Sequence, residues 1–395
     1  MNRVYFDHNA TTPLSPAVAD RMAAALRDQW GNPSSVHHFG QQAKAAIDEA
    51  RSAVAALIGA DPTEVVFTSG GTESDNLAIR GAAEALERTG RRHLVTSGIE
   101  HEAVLNTVKA LGKRGWETTI LPADAGGIVS PDALRAALTH TTAVVSLMHA
   151  NNEIGTIQPI AEFAALARAR GALFHTDAVQ SAGKIAIDAK KLGVDLLSIS
   201  AHKFYGPKGV GAIWIRRGLR LQPLMAGGKH ERSRRAGTEN LVGIIGMGVA
   251  ATEARLKMAD ENGRLSALRD RLEAGVLRAV TGTAVNGSPE PRVANTTNIS
   301  FDRVEAESLL IALDLAGFAV STGSACSSGT LEPSHVLKAM GLPPHRTQNS
   351  IRFSLGASNT EADVDRVIAA LPAIVDKLRS LTRPAVASGF SRKGA

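Results

Sequence analysis

The sequence predicts an α/β fold with a mostly parallel sheet covered by helices on both faces, joined to a smaller α+β domain. From residue 64 to residue 200, short apolar segments alternate with amphipathic helical ones, which is typical of parallel strands connected by helices. From about Leu241 the pattern changes to long amphipathic helices with a few short strands between them. We therefore predict a domain boundary near residue 255, with residues 14–255 in the large domain.

The predicted elements follow this alternation closely. The chain opens with a short extended arm, residues 1–13, which we assign together with residues 256–382 to the small domain. Helices are predicted at 17–30, 40–58, 73–86, 103–112, 131–138 and 161–170. Strands are predicted at 64–68, 93–97, 117–121, 143–148, 172–176 and 194–199 in the large domain, and at 297–301, 318–321 and 350–354 in the small one. Residues 383–395 are small, polar and basic, and are predicted to form a disordered tail.

The composition is that of an ordinary soluble globular protein of the size of an enzyme. The chain has a formal net charge of +6, but its 44 Lys and Arg residues are interspersed with 38 acidic ones and aromatic residues make up only 4%. No apolar segment approaches the length of a membrane span, and no signal peptide is expected. Cys326 is the only cysteine, which excludes an internal disulfide and suits a reducing compartment. We expect a cytoplasmic protein that binds neither nucleic acid nor a membrane.

Lys203 is the first candidate for chemistry. It comes directly after the apolar run 194–199 and before a turn rich in Gly and Pro, so it lies where open α/β sheets bind ligands. A partly desolvated lysine is more often neutral, and a neutral amine condenses with an aldehyde such as pyridoxal 5′-phosphate (PLP). From these residues alone, a surface lysine in a loop is an equally good interpretation.

Two further turns carry groups that suit the same cofactor. The segment Thr68–Glu73 contains two glycines and opens a helix, so its free N–H groups can bind an anion. Asp177 follows a strand and can pair with a protonated pyridine nitrogen, while Gln180 can donate to the phenolic oxygen of the ring. Helix capping by Ser, Thr or Asp is the competing explanation for both turns.

Four other residues stand out by type and position. His101 lies at a strand-to-helix turn and can stack on a flat ring or move protons, although a lone exposed histidine is commoner. Asn152 follows a buried strand and can bind the cofactor ring or a substrate carboxylate. Cys326 lies among small and polar residues and is a candidate nucleophile, whereas a buried structural cysteine is the usual case. Arg352 can clamp a carboxylate, or simply form a surface ion pair.

One charged segment has two interpretations. Residues 230–240, HERSRRAGTEN, are too polar for a core element. They form either a solvated loop or an arm that brings Thr238 to an anion elsewhere.

Taken together, the motifs resemble those of a known family. DHNATTP, VFTSGGTESDNLAI, EHEAVL, HANNEIGT, HTDAVQSAGK, SAHKFYGPKGVG, HERSRRAGTEN, GSACSSGTLEPSHVLKAM and IRFSLG occur in order along nearly the whole chain. They are similar to the NifS/IscS class of cysteine desulfurases, which are class-V aminotransferases of PLP fold type I. The resemblance implies a large domain with a seven-stranded, mostly parallel sheet, and a small domain whose loop at about 321–333 carries the catalytic cysteine.

The resemblance also implies a role for each matching residue. Lys203 would form the Schiff base with PLP, His101 would stack on the ring as the acid/base, and Cys326 would be the nucleophile. The implied cofactor-binding residues are Gly71, Thr72, Asn152, Asp177, Gln180, Ser200, His202, Lys203 and Thr238, and the implied substrate-binding residues are Asn152 and Arg352. Thr238 would reach the phosphate from the partner subunit, so a homodimer is expected.

The implied reaction removes sulfur from L-cysteine, giving L-alanine and a persulfide on Cys326. The sulfur would pass to an Fe–S scaffold protein of the NifU/IscU kind or to another acceptor, with nitrogenase maturation as one destination. Cys326 is also a candidate transient ligand of an Fe–S cluster. Alternatives of the same fold are a selenocysteine lyase, another PLP-dependent lyase or an aminotransferase. A basic RNA-binding or scaffold protein with Cys326 as a metal ligand is the alternative from another class.

Overall fold

The computed structural model describes residues 3–323 and 333–381. Its strands are β1 (Val4–Tyr5), β2 (Val65–Thr68), β3 (His93–Ser97), β4 (Glu117–Leu121), β5 (Thr142–Ser146), β6 (Leu173–Asp177), β7 (Leu196–Ser200), β8 (Gly211–Ile215), β9 (Thr283–Asn286), β10 (Thr296–Phe301), β11 (Phe318–Ala319) and β12 (Ser350–Ser354). Its α-helices are α1 (Pro16–Asp28), α2 (His38–Leu57), α3 (Gly71–Leu86), α4 (Glu102–Lys113), α5 (Pro131–Ala137), α6 (Ile160–Ala169), α7 (Ala189–Leu192), α8 (His230–Ser233), α9 (Leu241–Ala279), α10 (Ala306–Leu315), α11 (His335–Ala339), α12 (Pro344–Gln348) and α13 (Glu361–Leu381). Each strand and helix predicted above is present, with ends that differ by at most two residues.

The large sheet has the strand order β2-β8-β7-β6-β5-β3-β4. Neighbours from β7 to β4 are parallel, and β8 is antiparallel to both β2 and β7. The sequence analysis did not predict β8. Only about ten residues connect it to β7, which is too short for the crossover that a parallel strand needs, so the chain turns back on itself. The prediction of a mostly parallel α/β sheet is confirmed.

Burial explains why the central strands read as short apolar runs. All residues of β3, β5, β7 and β8 are buried, because helices cover the sheet on both faces. At the edge of the sheet, β4 is mostly exposed and correspondingly richer in polar residues. The helices begin where capping residues allow: Ser15 accepts from the Val18 N–H at the start of α1, and Ser130 from the Ala133 N–H at the start of α5.

The C-terminal part contains a second, smaller sheet and a separate hydrophobic core. Strands β9, β10 and β12 form an antiparallel sheet in the order β12-β10-β9, and β1 pairs in parallel with β11. The core combines Val4 and Phe6 of the N-terminal arm with apolar residues between 265 and 375. Helix α9 runs through residue 255 without a break, and the division there into two domains stays a prediction.

Helix α9 also packs closely on the large sheet's helical layer through α2. A Cβ atom on Gly248 would lie 2.6 Å from the Cα of Ala50, so only glycine permits this approach. Across the part of the chain that the structure describes, no helix has both the length and the apolar character needed to cross a bilayer.

Candidate active site

A cavity of about 350 Å³ lies at the carboxyl ends of the large-sheet strands, the edge where α/β sheets bind ligands. Strands β2, β3, β5, β6 and β7 all end at this edge, so the loops after them converge there. The lining residues predicted from the sequence are Gly71, Thr72, His101, Asn152, Asp177, Gln180, Ser200, His202, Lys203 and Arg352. Thr238 does not line the cavity, and Cys326 lies outside the described residues.

Lys203 ends a short 3₁₀ turn, Ala201–Lys203, that follows β7 directly. Its Nζ donates hydrogen bonds to the carbonyl oxygens of Asn9, at 2.7 Å, and Ala10, at 2.8 Å. Burial, reinforced by the positive charge of Arg352, lowers the pKa of Lys203 to about 8. A larger fraction of this amine is therefore neutral near pH 7 than of an exposed lysine, which favours nucleophilic attack on an aldehyde.

Asp177 is the last residue of β6 and is buried on the wall of the cavity. Its Oδ1 accepts a hydrogen bond from the Val179 N–H at 2.8 Å. Burial raises the pKa of this carboxyl, whereas the hydrogen bond from Val179 and the positive charge of Lys203 lower it. A cationic group in the cavity would therefore stabilise the ionised form of Asp177, as a protonated pyridine nitrogen does.

Two more buried carboxyl groups, missed by the sequence analysis, lie near Asp177. Burial and the charge of Asp177 raise the pKa of Asp75, and burial raises the pKa of Glu100 to about 8. Asp75 Oδ1 and Glu100 Oε2 have no hydrogen-bond partner among the described residues. His175 lies 3.6 Å from Asp75 and contacts Ser146 and Ser198 through its two ring nitrogens.

The start of α3 has backbone N–H groups without a side-chain cap. Gly70 precedes the helix with φ 155°, and no side chain caps the helix N-terminus. A Cβ on Gly71 would lie 2.9 Å from Val179 Cγ2, so a larger residue here would displace Val179. Ser200 and Thr72 add hydroxyl groups to the same wall. The free N–H groups and the positive end of the helix dipole suit a phosphate.

His202 and His101 both line this cavity. Burial and the neighbouring lysines lower the pKa of His202 to about 4, so its ring is neutral near pH 7. His101 caps α4, because its Nδ1 accepts a hydrogen bond from the Ala103 N–H at 3.1 Å. Its neutral form therefore carries the ring proton on Nε2. The capping and cavity-lining roles are compatible.

The small sheet supplies the other side of the cavity through Arg352 of β12. Arg352 Nη1 donates to the Asn152 carbonyl oxygen at 3.0 Å, and Nη2 to Asp7 Oδ1 at 2.6 Å. Its buried Nε has no hydrogen-bond partner among the described residues. A guanidinium held in this way can bind a substrate carboxylate.

Both ends of the segment that contains Cys326 contact Glu153. Ser321 and Gly323 line the cavity, and a Cβ on Gly323 would meet the Glu153 carboxylate at 2.8 Å. On the far side of the segment, Ser334 donates to Glu153 Oε2 at 2.5 Å. Gly323 and Ser334, which flank the segment that contains Cys326, therefore both lie beside Glu153.

Arg235, three residues before Thr238, is held near the start of α3 of its own chain. Arg235 Nε donates to Glu73 Oε1 at 2.8 Å, and Glu73 Oε2 accepts from the Ser69 N–H.

The described residues hold no cluster of three or more His, Cys, Asp or Glu side chains that fits a metal ion.

The sequence analysis also missed the part of the N-terminal arm in the cavity. Asn9 and Ala10 line it, whereas the sequence predicts only a short extended arm at residues 1–13. The available signal was a dense polar segment directly after an apolar one, as at Lys203 and Asn152. Asp75 had a different signal, an acidic residue placed three and four positions before the apolar Ala78 and Ile79 on one face of α3.

Comparison with known proteins identifies the family. The family model for aminotransferase class-V matches residues 4–367. The chain belongs to the class-V aminotransferases. It is 51% identical over 379 residues to "Cysteine desulfurase IscS" of Dictyoglomus turgidum, covering 96% of each chain. It is 49% identical over 398 residues to "Cysteine desulfurase" of Gluconacetobacter diazotrophicus, covering 99% of each.

A solved structure agrees with these relatives. A "NifS-like protein" superimposes with a TM-score of 0.87 and 37% identity, covering 96% of this chain and 99% of the other. The predictions of the NifS/IscS family, its fold and a PLP-dependent enzyme are confirmed. The residues around the cavity fit the cofactor, because a lysine of lowered pKa, an anion site and a buried carboxylate line the same space.

Proposed function

We propose that this chain is a PLP-dependent cysteine desulfurase that removes sulfur from L-cysteine and releases L-alanine. The observation that carries the proposal is the convergence of Lys203, Asp177 and the start of α3 on one cavity, with Arg352 at its other side. The names of the relatives that match over nearly the whole chain support this reaction.

The cavity residues divide into those that would hold the cofactor and those that would bind the substrate. Asp177 would pair with the pyridine nitrogen and Gln180 would face the phenolic oxygen. The phosphate would be bound by Gly71, Thr72, Ser200 and His202. When bound, PLP supplies an electron sink for the bonds at the substrate's α-carbon.

The chain's own residues then orient the substrate and move its protons. Arg352 and Asn152 bind the carboxylate of L-cysteine, which fixes the α-carbon relative to Lys203. Once the Lys203 amine is free, it accepts the α-proton, because its lowered pKa leaves more of it in the neutral form. His101 lies at the cavity wall and can move a proton at Nε2.

Sulfur transfer is assigned to Cys326. Its thiolate attacks the sulfur of the substrate, so an S–S bond forms and the C–S bond breaks. The electron pair of the broken bond stays with the three-carbon product, which gains a proton at Cβ and leaves as L-alanine. The protein retains a persulfide.

Several finer points of the proposal rest on sequence resemblance. We propose a homodimer in which Thr238 of one chain reaches the phosphate of the other, and an Fe–S scaffold protein of the NifU/IscU kind as sulfur acceptor. Nitrogenase maturation is one destination for this sulfur, Cys326 is a candidate transient cluster ligand, and the cytoplasm is the proposed location. The domain division at residue 255 belongs to the same set of proposals.

Two variants test the reaction. We expect Cys326→Ala to keep the absorbance of bound PLP but to lose persulfide formation, measured by mass spectrometry, because the attacking thiolate is gone. We expect Lys203→Ala to lose covalent PLP after borohydride reduction, while Lys208→Ala, in the neighbouring exposed turn, keeps it.

Two outcomes would contradict this assignment. Persulfide-dependent sulfur transfer at the wild-type rate by Cys326→Ala would show that another group accepts the sulfur. Borohydride labelling of Lys184 or Lys208 in the wild-type protein would show that the wrong amine was chosen. Assays with L-selenocysteine beside L-cysteine separate the desulfurase from a selenocysteine lyase.

A further inference from the structure

Asn9, in the N-terminal arm, uses every hydrogen-bonding position of its side chain. Oδ1 accepts from Lys184 Nζ at 2.9 Å and from Asn295 Nδ2 at 3.1 Å. Nδ2 donates to the Asn152 carbonyl oxygen at 3.1 Å and to Thr296 Oγ1 at 2.8 Å. Asn9 is 2% exposed. A buried amide that is satisfied on all four positions holds the backbone of its own residue in one place.

The backbone that Asn9 holds faces the reactive amine. Its carbonyl oxygen accepts hydrogen bonds from Lys203 Nζ at 2.7 Å and from Gln180 Nε2 at 2.9 Å. The next carbonyl, of Ala10, also accepts from Lys203 Nζ. These two carbonyl groups therefore fix where the Lys203 amine lies when it is not bonded to another molecule.

The same side chain reaches the substrate-binding end of the cavity. The Asn152 carbonyl oxygen that accepts from Asn9 also accepts from Arg352 Nη1 at 3.0 Å. Two more partners of the Asn9 side chain come from the small sheet and its flank: Thr296 lies at the start of β10, and Asn295 directly precedes it. The Asn9 side chain is thus bonded to the Asn152 carbonyl oxygen that contacts Arg352. The carbonyl oxygen of Asn9 itself accepts from Lys203.

We propose that Asn9 is a positioning residue that sets the placement of the Lys203 amine relative to the carboxylate-binding group Arg352. This inference rests on the proposed function, in which Lys203 moves the α-proton of a substrate bound by Arg352. The Asn9 and Ala10 carbonyl oxygens receive the Lys203 amine when the substrate takes its place. The Asn9 side chain keeps these oxygens in a fixed position relative to the hydrogen bond between Arg352 and the Asn152 carbonyl oxygen.

The substitution Asn9→Ala in the holoenzyme tests this role. We expect kcat per bound PLP to fall about ten-fold or more, because small displacements of a reacting group slow catalysis strongly. The primary isotope effect with α-deuterated L-cysteine should rise, since proton transfer becomes slower relative to other steps. Alanine release and bound PLP are measured on the same samples.

A second readout does not depend on turnover. The pH midpoint of the PLP absorbance change in the holoenzyme reports the protonation of the nitrogen that joins PLP to Lys203. A carbonyl acceptor favours the protonated nitrogen, so we expect Asn9→Ala to move this midpoint to lower pH. Thr296→Val, which removes one acceptor of the Asn9 amide without changing side-chain size, should move both readouts in the same direction by less.

Asn286→Ala is the matched control. Asn286 is also buried and also hydrogen-bonded, to Asn298, Ser350 and Arg346, but it lies outside the cavity. We expect it to lower the thermal unfolding midpoint and to leave kcat per bound PLP and the absorbance midpoint unchanged.

The outcomes separate this inference from the function on which it rests. An active wild-type enzyme beside an Asn9→Ala variant with unchanged kcat and absorbance midpoint would overturn the inference alone. Equal losses in Asn9→Ala and Asn286→Ala at equal thermal stability would reduce Asn9 to a structural residue. A wild-type protein that releases no L-alanine from L-cysteine would overturn the proposed function and this inference with it.

Discussion

Burial sets the protonation of the single residues around the cavity. Three carboxyl groups, Asp75, Glu100 and Asp177, are withdrawn from water, and the pKa of each is raised mainly for that reason. Lys203 shows the opposite shift from the same cause. Desolvation disfavours the charged form of an acid and of a base alike, so neutral forms become common in one small volume. A charged cofactor that binds there changes this balance.

Burial raises the pKa of Glu100 to about 8. In the unfolded chain a glutamate has a pKa of about 4.3, so between about pH 4.3 and about pH 8 the folded protein holds a proton that the unfolded chain does not. Stability from this group is therefore present at low pH and is lost as the pH rises through that range. We expect Glu100→Gln to lose less stability than the wild type between about pH 5 and about pH 8.

Thermal unfolding midpoints at the two pH values, with PLP in excess, measure this difference. Glu102→Gln is the control, because Glu102 is exposed on the first turn of α4 only two residues away. It should leave the pH dependence of the wild type unchanged. Asp75 and Asp177 also carry raised pKa values, so part of the dependence remains in Glu100→Gln. An identical pH dependence in Glu100→Gln and the wild type would contradict the assignment.

At the scale of elements, a buried ion pair fixes the charged segment that begins at α8. Glu231 accepts from Arg51 of α2 through both carboxylate oxygens, at 2.7 and 2.8 Å, and also from the Phe67 N–H of β2 at 3.0 Å. Three successive residues here, 231 to 233, have positive φ although none is glycine. Such backbone persists only when surrounding contacts hold it, and the ion pair supplies them. The segment after α8 continues to Thr238.

We predict that Arg51→Met lowers the free energy of unfolding by about 3–5 kcal/mol, because it leaves the Glu231 carboxylate buried without its partner. Chemical unfolding followed by fluorescence measures the change. Arg271→Met is the matched control: Arg271 also pairs through two bonds, with Asp365, but on the exposed surface. Its effect should be much smaller, since exposed ion pairs contribute little. Comparable losses in the two variants would argue against the importance of burial.

At the scale of the whole molecule, the cavity lies where two parts of the chain meet. The large sheet provides Lys203 and Asp177, whereas Arg352 comes from the small sheet, which has its own core. The N-terminal arm pairs with β11 and then crosses to the cavity. A site of this kind depends on contacts between distant segments, so its geometry follows from the complete fold.

The proposed homodimer gives a whole-molecule prediction. If Thr238 serves the partner's phosphate site, a mixed dimer of one Lys203→Ala chain and one Thr238→Ala chain contains one intact site. That site should bind PLP with wild-type affinity, whereas the Thr238→Ala homodimer should bind it more weakly. Differently tagged chains allow the mixed dimer to be purified and titrated with PLP.

The reciprocal dimer is its control. In this dimer one chain carries both Lys203→Ala and Thr238→Ala, and the other chain is wild type. The site that retains Lys203 is that of the wild-type chain, and it lacks the Thr238 hydroxyl group of its partner. This site should bind PLP weakly. Wild-type affinity in the reciprocal dimer and weak binding in the first one would assign Thr238 to the site of its own chain.

How much could be predicted from the sequence depended on how local each signal was. The strand before Lys203 and the helix after Gly71 are encoded by runs and periods of a few residues, and both were found. The parallel sheet followed from repeated strand–helix alternation. Strand β8 was missed, because its short apolar run gives no clear signal and its pairing depends on a tight connection.

The residues of the cavity divide in the same way. Side chains that follow strands of the large sheet, such as Asp177 and Lys203, were predicted, since parallel strands bring their carboxyl ends together. Asn9 was not, because its role depends on contacts with residues 143 to 287 positions away in the chain. No local pattern records such contacts.

The sequence by itself determined the order of helices and strands, the family and the residue types available for chemistry. Hydrophobic periodicity and turn residues act over a few positions, so they can be read along the chain. Only the tertiary structure decided which groups share one desolvated volume: the three carboxyl groups of Asp75, Glu100 and Asp177, the carbonyl groups that hold Lys203, and the placement of Asn9 between them. Burial and hydrogen bonding between distant segments arise only when the chain has folded.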